Sequence, residues 1–559
     1  MSVFIGYPSF MAYQMMKGKK GNNDDDFPSI SGIIARYSAL GLTNEQMAAN
    51  PVWVDKTGNG HDLQMKNFAW GGMSGIGGYV ENYNRWTKSA VRADITFTDH
   101  SFNVTSVKIN QAQFYYQSSG GEQPFTVPSG TVIVKGLTDG QVLEYIYTDI
   151  EGIHVFTVKN DGIYTLPSFE FIAKGAYYGF QFNKVQESCN ITIEQLPLYP
   201  GFILGDGVDD FAVTENNLDL EDTYTIYTPL ILLKYGGVVC GKNSDKDFSL
   251  NTVISSKSIG FDSANAWSGS IPVDLFEFVL VACKRSPQTM YVKDLVTGKS
   301  NQNKSKEFVP NPRKYFVWRN VGGIWCQVAI AGQIICNGYY STDEDDEKVL
   351  DWYKKQYPWL FFDQAWTVVG KTNEDEDRAT IANITGNGND LVLSNFGFAE
   401  GSGYNEEGEY AGYLVTDGVD DKITSSAFKM GKDFTIVGDW KFIGNKKSGT
   451  GLVKGSSFYI YNTMIGLDLY INSGSVKNSL DGIKSINAVC SDGRAYDRNW
   501  NEILANTGNV VGSGGMLEVS SSGGRFDRIA FKNLAIYPRI LSKDDCIKAY
   551  NYLQALKAK

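Results

Sequence analysis

Three features of the sequence predict a mainly β protein built from two β-sandwich modules, the first interrupted by an inserted β-sandwich domain. The 559-residue chain is rich in glycine, tyrosine and phenylalanine (59, 32 and 31 residues). Together with the scarcity of long helical patterns, this composition is typical of twisted sheets joined by tight turns. Two short motifs each occur twice in the same order. Their spacing differs between the two copies, and this difference indicates an insertion.

The repeated motifs are Thr-Gly-Asn-Gly, at Thr57–Gly60 and Thr385–Gly388, and Asp-Gly-Val-Asp-Asp, at Asp206–Asp210 and Asp417–Asp421. The first motif recurs after 328 positions and the second after 211, so the first copy holds 117 additional residues between them. A segment of that length is the size of a small domain. The chain is therefore predicted to be one split module followed by an intact second copy.

Two further pairs of segments support the duplication. Thr-Asn-Glu stands at Thr43–Glu45 and Thr372–Glu374, and the apolar segment Val328–Ile335 aligns with Ile529–Ile536 at an offset of 201. The predicted organisation, in chain order, is an N-terminal arm at 1–30, the first part of module 1 at 31–85, the insertion at 86–200, the second part of module 1 at 201–363, and module 2 at 364–559.

The insertion itself shows short alternating apolar segments. Turn signals such as Thr138-Asp-Gly and Asn160-Asp-Gly separate them. About seven strands fit this spacing, which favours a β-sandwich. Because the inserted domain leaves and re-enters a single module, its two ends are expected to lie close together.

Each module is predicted to close with a short helix. Ser341 and Glu344 match a capping box, in which the serine accepts from the Glu344 amide and the glutamate reaches back. Pro358 ends this helix. Ser542 is predicted to begin the corresponding helix of module 2.

Composition excludes several classes of function. The formal net charge is −11 and no basic run occurs, which argues against a nucleic-acid-binding surface. The seven cysteines form no Cys-x-x-Cys pair, so we expect free thiols in a protein made in a reducing cytoplasm. The first 20 residues have the wrong polarity for a secretory signal, and no apolar run reaches membrane-spanning length.

The motifs together resemble those of the laminin-G-like, concanavalin A-like jelly-roll superfamily. The shared pattern is a Thr-Gly-Asn-Gly-x-Asp-Leu turn, then Asp-Gly-Val-Asp-Asp at a strand edge, then Leu-Ala-Ile-Tyr-Pro-Arg-Ile-Leu-Ser-Lys-Asp-Asp at 534–545. The resemblance implies that both modules are jelly rolls, and it does not extend to the insertion. Module 2 also resembles repeats found in virion proteins of tailed bacteriophages that infect gut bacteria.

The Asp-Gly-Val-Asp-Asp motifs raise the question of a metal. Concanavalin A-like folds often hold calcium near sheet edges, and hard cations prefer clustered oxygen ligands. The alternative, which we prefer, is a turn whose aspartates cap backbone amides beside a glycine with positive φ. No other cofactor is expected, because the Thr-Gly-Asn-Gly loops lack the lysine of a phosphate-binding loop. The calcium candidates are Asp206, Asp209, Asp210, Asp417, Asp420 and Asp421.

The sequence predicts that the chain is not an enzyme, although glycanases share the implied fold. Retaining glycosidases need two carboxylates about 5 Å apart, and no predicted strand carries the Glu-x-Asp-x-x-Glu pattern of jelly-roll glucanases. The histidines, which are His61, His100 and His154, stand in no recognisable nucleophile context.

Aromatic side chains offer a possible sugar-binding surface, because flat rings stack on pyranose rings while polar neighbours bind hydroxyls. Core or inter-domain packing is the alternative for each of them. The candidates are Tyr115, Tyr116, Tyr177 and Tyr178 in the insertion, and Trp70 and Trp267 in module 1.

We therefore predict a non-enzymatic phage virion component, either a fibre or a decoration of head or tail. Its lectin-like domains would face host surface glycans or neighbouring virion proteins. The protein would assemble in the host cytoplasm as a homo-oligomer or part of a larger assembly, without nucleic acid or membrane insertion. The arm at 1–30 would dock into a partner; the alternative is that it folds back on its own first jelly roll. The alternatives are a bacterial cell-surface or periplasmic carbohydrate-binding protein and, less favoured, a glycan hydrolase.

Overall fold

The computed structural model describes residues 27–558 apart from short gaps. Residues 1–26, and with them most of the predicted arm, lie outside the described residues. The described residues divide into two compact units: those up to Asn160 with Thr165–Gln356, and Asp161–Tyr164 with those from Tyr357 onward. The gaps are 89–91, 118–124, 128–129, 139, 151, 168, 172–175, 243–247, 265, 309–312, 320–323, 386–387, 429, 432, 444–449, 455–457, 463–465, 472–477, 482–485, 505–514, 520, 523–524 and 527.

The regular elements follow in chain order. Before the insertion lie β1 (Ile33–Ser38), α1 (Asn44–Ala49), β2 (Val52–Trp53), β3 (Leu63–Lys66) and β4 (Gly75–Ile76). The insertion contains β5 (Thr87–Lys88), β6 (Ala93–Phe97), β7 (Ser101–Val107), β8 (Ala112–Gln117), β9 (Phe125–Val127), β10 (Gly130–Lys135), β11 (Leu143–Asp149), β12 (Gly152–Val158), β13 (Gly162–Leu166), β14 (Phe169–Phe171), β15 (Tyr177–Phe182) and β16 (Ile191–Gln195).

The first unit then continues to its closing helix. Its later elements are β17 (Ile203–Asp206), β18 (Phe211–Thr214), β19 (Tyr224–Leu232), β20 (Gly237–Gly241), β21 (Ser249–Val253), β22 (Ser258–Ser263), β23 (Ala266–Pro272), β24 (Phe278–Arg285), β25 (Thr289–Asp294), β26 (Ser300–Lys304), β27 (Phe316–Val317), β28 (Gln327–Ile330), β29 (Gly332–Asn337) and α2 (Asp343–Gln356).

The second unit has a similar succession of strands and a closing helix. Its elements are β30 (Gln364–Thr367), β31 (Thr380–Ile381), β32 (Leu391–Ser394), β33 (Gly403–Asn405), β34 (Tyr413–Val415), β35 (Lys422–Phe428), β36 (Thr435–Phe442), β37 (Thr450–Lys454), β38 (Phe458–Asn462), β39 (Gly466–Ile471), β40 (Asn478–Asp481), β41 (Ile486–Cys490), β42 (Ala495–Asp497), β43 (Glu502–Leu504), β44 (Gly515–Val519), β45 (Ser521–Ser522), β46 (Arg525–Phe526), β47 (Ile529–Tyr537) and α3 (Lys543–Ala555).

Two antiparallel sheets form the host sandwich of the first unit. One has the order β26-β25-β24-β19-β28-β17-β4, with β29 pairing both β19 and β1, and the other has the order β2-β3-β18-β27-β20-β21-β22-β23. Buried apolar side chains from both sheets join one core, among them Val328 of β28, Leu63 of β3 and Trp318 after β27. The host core therefore lies between the sheets, as a β-sandwich requires.

The second unit repeats this arrangement strand for strand. Its sheets have the orders β43-β42-β41-β36-β47-β34-β33, with β30 pairing β47, and β31-β32-β35-β44-β37-β38-β39-β40. Each strand of these two sheets has its counterpart at the same place in the first unit, with β47 corresponding to both β28 and β29. Trp366, Trp440 and Phe531 are part of its buried core. The fold class predicted from the repeated motifs, a mainly β protein of sandwich modules, is confirmed.

The insertion occupies the position of a hairpin. In the second unit, β33 and β34 pair directly, and the Gly412 amide donates to the Asn405 carbonyl across their short connection (2.7 Å). The equivalent strands of the first unit, β4 and β17, also pair with each other, but the inserted segment lies between them in the sequence. Where the chain leaves and returns, the Leu198 amide donates to the Gly78 carbonyl (2.9 Å). The two ends of the segment are adjacent, so the host sandwich can tolerate it.

The insertion forms its own sandwich. Its sheets have the orders β13-β10-β16-β7-β6 and β12-β11-β15-β8-β5, with β9 and β14 forming a separate ribbon. Phe114 packs against Phe102 with ring centroids 4.8 Å apart, and Phe102 packs against Phe180 at 5.3 Å. The described part of the insertion has twelve strands instead of the predicted seven. Short strands such as β5 and β9 are missed in the sequence because two or three residues show no alternation.

The insertion at 86–200 remains a prediction, and a deletion bounded by the hydrogen-bonded residues Gly78 and Leu198 tests the split-module interpretation. Replacing residues 79–197 by two or three glycine and serine residues is expected to leave the host sandwich folded, because Gly78 and Leu198 are already hydrogen bonded. Hydrogen exchange of the β19 and β24 amides should then stay as slow as in the intact chain. Fast exchange in both strands of a soluble product would contradict the split-module interpretation.

The closing helices correct one prediction and confirm another. The predicted capping box of Ser341 and Glu344 is wrong by one residue: Thr342 Oγ1 accepts from the Asp345 amide (3.2 Å), and Asp345 Oδ2 accepts from the Thr342 amide (3.0 Å). Ser341 is displaced because its hydroxyl turns inward to the buried Asp346 (3.3 Å). In α3, the Ser542 hydroxyl caps the helix as predicted, accepting from the Asp545 amide (3.1 Å).

Two further structural observations concern the cysteines and the helices. All seven cysteines are free thiols, and six of them are buried. Among the described residues, no helix combines the length and the apolar character needed to cross a membrane.

Candidate functional site

The Asp-Gly-Val-Asp-Asp motifs form the same turn in both units. In the first unit, Asp206 Oδ1 accepts from the amides of Val208 (2.8 Å) and Asp209 (3.3 Å), while Asp210 Oδ2 accepts from the Asp206 amide (2.9 Å). Gly207 has a φ of +76°, and a Cβ there would meet Gln327 Cβ at 2.9 Å. This is the geometry of the preferred interpretation, in which aspartates cap backbone amides beside a left-handed glycine.

The second unit reproduces the turn atom for atom. Asp417 Oδ1 accepts from the Val419 amide (2.7 Å) and the Asp420 amide (3.3 Å), and Asp421 Oδ2 accepts from the Asp417 amide (2.7 Å). Gly418 has a φ of +74°. The repeated motif therefore has the same structural role in each module, because its aspartates make the hydrogen bonds that close the turn.

The Thr-Asn-Glu segments have an equally local role. Asn44 Oδ1 accepts from the Ile76 amide (2.7 Å), and Asn373 Oδ1 accepts from the Tyr404 amide (2.8 Å). In each unit the asparagine thereby holds the strand that precedes the hairpin position, β4 or β33. Thr57 of the first Thr-Gly-Asn-Gly motif is held in the same way, by the Asp55 carboxylate, which accepts from its amide (3.0 Å).

The aspartate turns also have the chemistry of a possible cation site. In each unit, three carboxylates offer oxygen atoms that all lie within 4.8 Å of one another. Burial raises the pKa of Asp210 to about 7 and that of Asp421 to about 6. Hydrogen bonds within the turn already account for the geometry, so the calcium candidates remain without a structural argument that requires a metal. The groups are Asp206, Asp209 and Asp210, and Asp417, Asp420 and Asp421.

If the aspartates only cap turns, a chelator should leave the melting temperatures of both units unchanged. A ligand that binds only the native state stabilises it, so removal of a bound calcium ion would lower a transition by several degrees. Differential scanning calorimetry with and without EDTA measures this directly. A drop that added calcium reverses would contradict the turn interpretation.

The structure sorts the predicted sugar-binding aromatic residues into two groups. Tyr178 is buried, and its hydroxyl donates to the Glu81 carboxylate (2.9 Å), whose pKa burial raises to about 7. Tyr116 lies on the same side of the sheet, with its ring 5.4 Å from that of Tyr178. The Trp70 ring stacks on Phe68 at 5.0 Å beside the host core. Tyr178 is therefore a buried packing residue, and the half-buried rings of Tyr116 and Trp70 pack against aromatic neighbours.

Trp267 is also engaged in packing. A Cβ at Gly260 would lie 2.6 Å from the Trp267 ring, so the indole covers the backbone of that glycine. The Trp267 carbonyl accepts from the Asn303 side chain (3.0 Å). The sequence does not distinguish a packed Trp267 ring from an exposed one, because the ring packs on Gly260 of the paired strand β22, and a glycine gives no apolar signal in the sequence.

Tyr115 and Tyr177 differ from these residues. The register pairs Tyr115 of β8 with Gly179 of β15, so Tyr115, Gly179 and Tyr177 point to the face of the sheet opposite the phenylalanine core. Both tyrosines are half-buried, and their rings are 5.7 Å apart at an interplanar angle of 67°. We call this surface the outer face of the insertion. It is defined by Gln113, Tyr115, Glu144, Tyr177, Gly179 and Gln181.

A row of polar side chains runs beside the tyrosines on the outer face. The Gln113 amide group donates to Gln181 Oε1 (2.9 Å), and Gln181 Nε2 donates to Glu144 Oε2 (3.1 Å) and to Asn183 Oδ1 (2.9 Å). The register places Gln113 and Glu144 on either side of Gln181. These contacts fix the orientation of the amides and the carboxylate before any ligand arrives.

Gly179 explains the shape of the surface. A Cβ at Gly179 would lie only 2.4 Å from the Phe114 carbonyl oxygen and 2.6 Å from Tyr115 Cβ. The strands therefore approach too closely for any other residue, and no side chain rises between the two tyrosines. The outer face combines two aromatic rings that contact each other and a preorganised polar row, which are the elements of a sugar-binding surface.

Sequence reasoning named Tyr115 and Tyr177 but missed Gln113, Glu144 and Gln181. The only sequence signal for these three residues is the alternation of side chains along β8, β11 and β15, and it predicts which residues share a face only when the strand register is known.

A second group of residues that the sequence analysis missed joins the insertion to the host. There, Asp99 accepts from Asn44 Nδ2 (3.0 Å) and lies 2.9 Å from His100 Nδ1. Glu45, Asp99 and His100 have donor atoms within 4.8 Å of one another.

Catalysis gains no support from the carboxylates. Asp210, whose raised pKa would suit a general acid, is 1% exposed, and a substrate could not reach it. His154 lies 2.9 Å from Asp149 Oδ1, and its ring stacks on Tyr147 at 4.9 Å. The absence of an enzymatic activity nevertheless remains a prediction.

No protein-family model and no curated protein sequence matches the chain. Solved structures similar to it include the ligand-binding domain of botulinum neurotoxin serotype D in complex with N-acetylneuraminic acid (10% identity, 62% of this chain and 89% of that chain, TM-score 0.28). Another belongs to a study of botulinum neurotoxin type C, whose cell entry depends on two ganglioside molecules (9% identity, 60% and 87%, TM-score 0.24). A third is a mutant Trypanosoma rangeli sialidase displaying trans-sialidase activity (8% identity, 47% and 62%, TM-score 0.20).

These identities and TM-scores are too low to carry an argument about function. The fold of this chain is instead defined by its own strand orders. The laminin-G-like and phage-repeat resemblances are not matched by any family model. The chain is a mainly β protein of two duplicated sandwiches and an inserted third.

Proposed function

We propose that this protein is a carbohydrate-binding protein that holds glycans on the outer face of its inserted sandwich. The observation that carries the proposal is the pair of half-buried rings, Tyr115 and Tyr177, 5.7 Å apart beside a hydrogen-bonded polar row. The rings would stack on sugar faces, and the amides and the Glu144 carboxylate would bind hydroxyl groups.

We further propose that this carbohydrate-binding protein is a component of a phage virion. This proposal rests on the resemblance of module 2 to virion repeats, and on the predicted docking role of the arm at 1–30, which lies outside the described residues. Mass spectrometry of purified particles tests it. Genes for polysaccharide use around the coding sequence, with no portal, capsid or tail genes, would instead favour the cell-surface alternative.

A glycan array probed with the full chain tests the binding proposal. We expect selective retention of a small group of related glycans, because the polar row has fixed donors and acceptors. The chain carrying both Tyr115→Ala and Tyr177→Ala should lose this retention. A wild-type chain that binds no glycan, or a variant that binds the same set equally well, would overturn the proposal.

A further inference from the structure

The edge of the inserted sheet next to the outer face is formed by β12. Within the described part of this sheet, β12 pairs only with β11, along an uninterrupted register from Leu143↔Val158 to Asp149↔Gly152. Every second residue of such a strand turns its N–H and C=O groups away from its partner. The strand thus presents a straight row of backbone donors and acceptors at the sheet edge.

Apolar side chains accompany this edge. Ile153 is 67% exposed and Val155 is 53% exposed, and the hairpin residue Ile150 is 83% exposed. Val155 pairs with Ile146, Ile146 pairs with Gly179, and Gly179 pairs with Tyr115, so all four lie on the same face of the sheet. Ile153, two residues before Val155 in β12, therefore also lies on the outer face. Adjacent exposed β-branched residues on an unpaired edge mark a place where another strand adds.

Three other edge strands in the described residues are protected against pairing. All five residues of β26 are polar and exposed. The edge strand β23 is capped by asparagine side chains, since Asn301 Nδ2 donates to the Ser270 carbonyl (3.0 Å) and Asn303 Nδ2 to the Trp267 carbonyl (3.0 Å). A bulge interrupts β6 between Asp94 and Ile95. β12 has none of these devices: it contains no lysine, proline or bulge.

The composition of β12 favours a second copy of itself as the occupant. Gly152–Val158 reads Gly-Ile-His-Val-Phe-Thr-Val and contains no aspartate, glutamate, lysine or arginine. Antiparallel pairing about a two-fold axis near Val155 would therefore bring no like carboxylates or ammonium groups together. It would place Val155 opposite its own copy and Ile153 opposite Thr157, which are favourable cross-strand pairs.

We infer that β12 pairs with β12 of a second copy of this chain, joining two inserted sheets into one continuous sheet across a two-fold axis. A two-fold axis that relates neighbouring antiparallel strands stands perpendicular to the sheet, so both outer faces point the same way. The dimer would present two Tyr115–Tyr177 surfaces side by side. This step goes beyond glycan binding by one copy, and it predicts bivalent attachment that exceeds the affinity of one face.

Sedimentation of the full chain over a wide range of concentrations tests the inference. We expect the wild-type protein to reach twice the monomer mass, and Val155→Lys to raise the dimer dissociation constant by about tenfold or more, because two lysines would then face each other. The matched control is Val208→Lys, at a valine that is 67% exposed on the aspartate turn of the host, which should dimerise like wild type.

A second measurement keeps the test decisive if the substitution perturbs the edge locally. Hydrogen exchange of the wild-type β12 amides should slow as the concentration rises through the dimerisation range, while exchange in β26 should not change. A wild-type chain that stays monomeric, or a Val155→Lys chain that dimerises like wild type, would overturn the inference. Neither experiment contains a glycan, so failure here is distinguishable from failure of the proposed function.

Discussion

Replacing Tyr115 and Tyr177 together by alanine is expected to lower the affinity for the best glycan by about a hundredfold. Each single substitution should lower it by about tenfold, because an aromatic ring that covers a sugar face in a partly desolvated surface contributes more than about 1 kcal/mol. The rings stand 5.7 Å apart and contact each other, so the combined effect can depart from the product of the two. Isothermal titration with the glycan selected on the array measures all three.

One control and one further variant separate loss of a binding surface from loss of structure. Tyr291→Ala removes a half-exposed tyrosine from β25 of the host and should leave the affinity unchanged. Gln181→Glu keeps the strand but replaces a donor to Glu144 by a second carboxylate, and it should weaken binding without altering the rings. Equal affinity of the double tyrosine variant and wild type, with identical melting curves, would show that the glycan binds elsewhere.

The repeated motifs predicted the architecture because their side chains accept hydrogen bonds from backbone amides that shape each module. Asp206 and Asp417 cap the same amides, and Asn44 and Asn373 hold the same strand, so each module must keep them whatever it binds. Unequal spacing then revealed the insertion. The capping box was misplaced by one residue because Ser341 serves a buried carboxylate, a tertiary contact that no local pattern contains.

The candidate site could be predicted only in part. Tyr115 and Tyr116 are neighbours in sequence, and strand alternation sends them to opposite faces of the sheet. Sequence alone does not say which of the two faces the core. Gln113, Glu144 and Gln181 come from three strands, and only the register brings them into one row. The repeats fix the scaffold, whereas the predicted binding chemistry lies in the inserted segment that has no second copy.

Removal of the Asp346 carboxylate is expected to destabilise the first unit by about 3–5 kcal/mol, the usual cost of breaking a buried ion pair. Asp346 and Lys284 are 3% and 2% exposed, and Lys284 Nζ lies 2.8 Å from Asp346 Oδ2. The Tyr227 hydroxyl also donates to Asp346 Oδ1 (2.9 Å). Asp346→Ala would leave a buried ammonium without its counter-charge, and the melting transition of this unit should fall by roughly 10 °C. Calorimetry of the full chain measures it.

The same helix supplies the matched control. Asp343 lies one turn earlier and also contacts a lysine, with its carboxylate 3.4 Å from Lys293 Nζ, but its side chain is 89% exposed. Water screens that pair, so Asp343→Ala should cost less than about 1 kcal/mol. The double variant Lys284→Met/Asp346→Leu removes both buried charges and should recover most of the loss. If Asp346→Ala and Asp343→Ala lower the transition equally, the buried pair does not hold α2 against the host sheet. If the double variant is no more stable than Asp346→Ala, the cost comes from lost packing and not from an uncompensated charge.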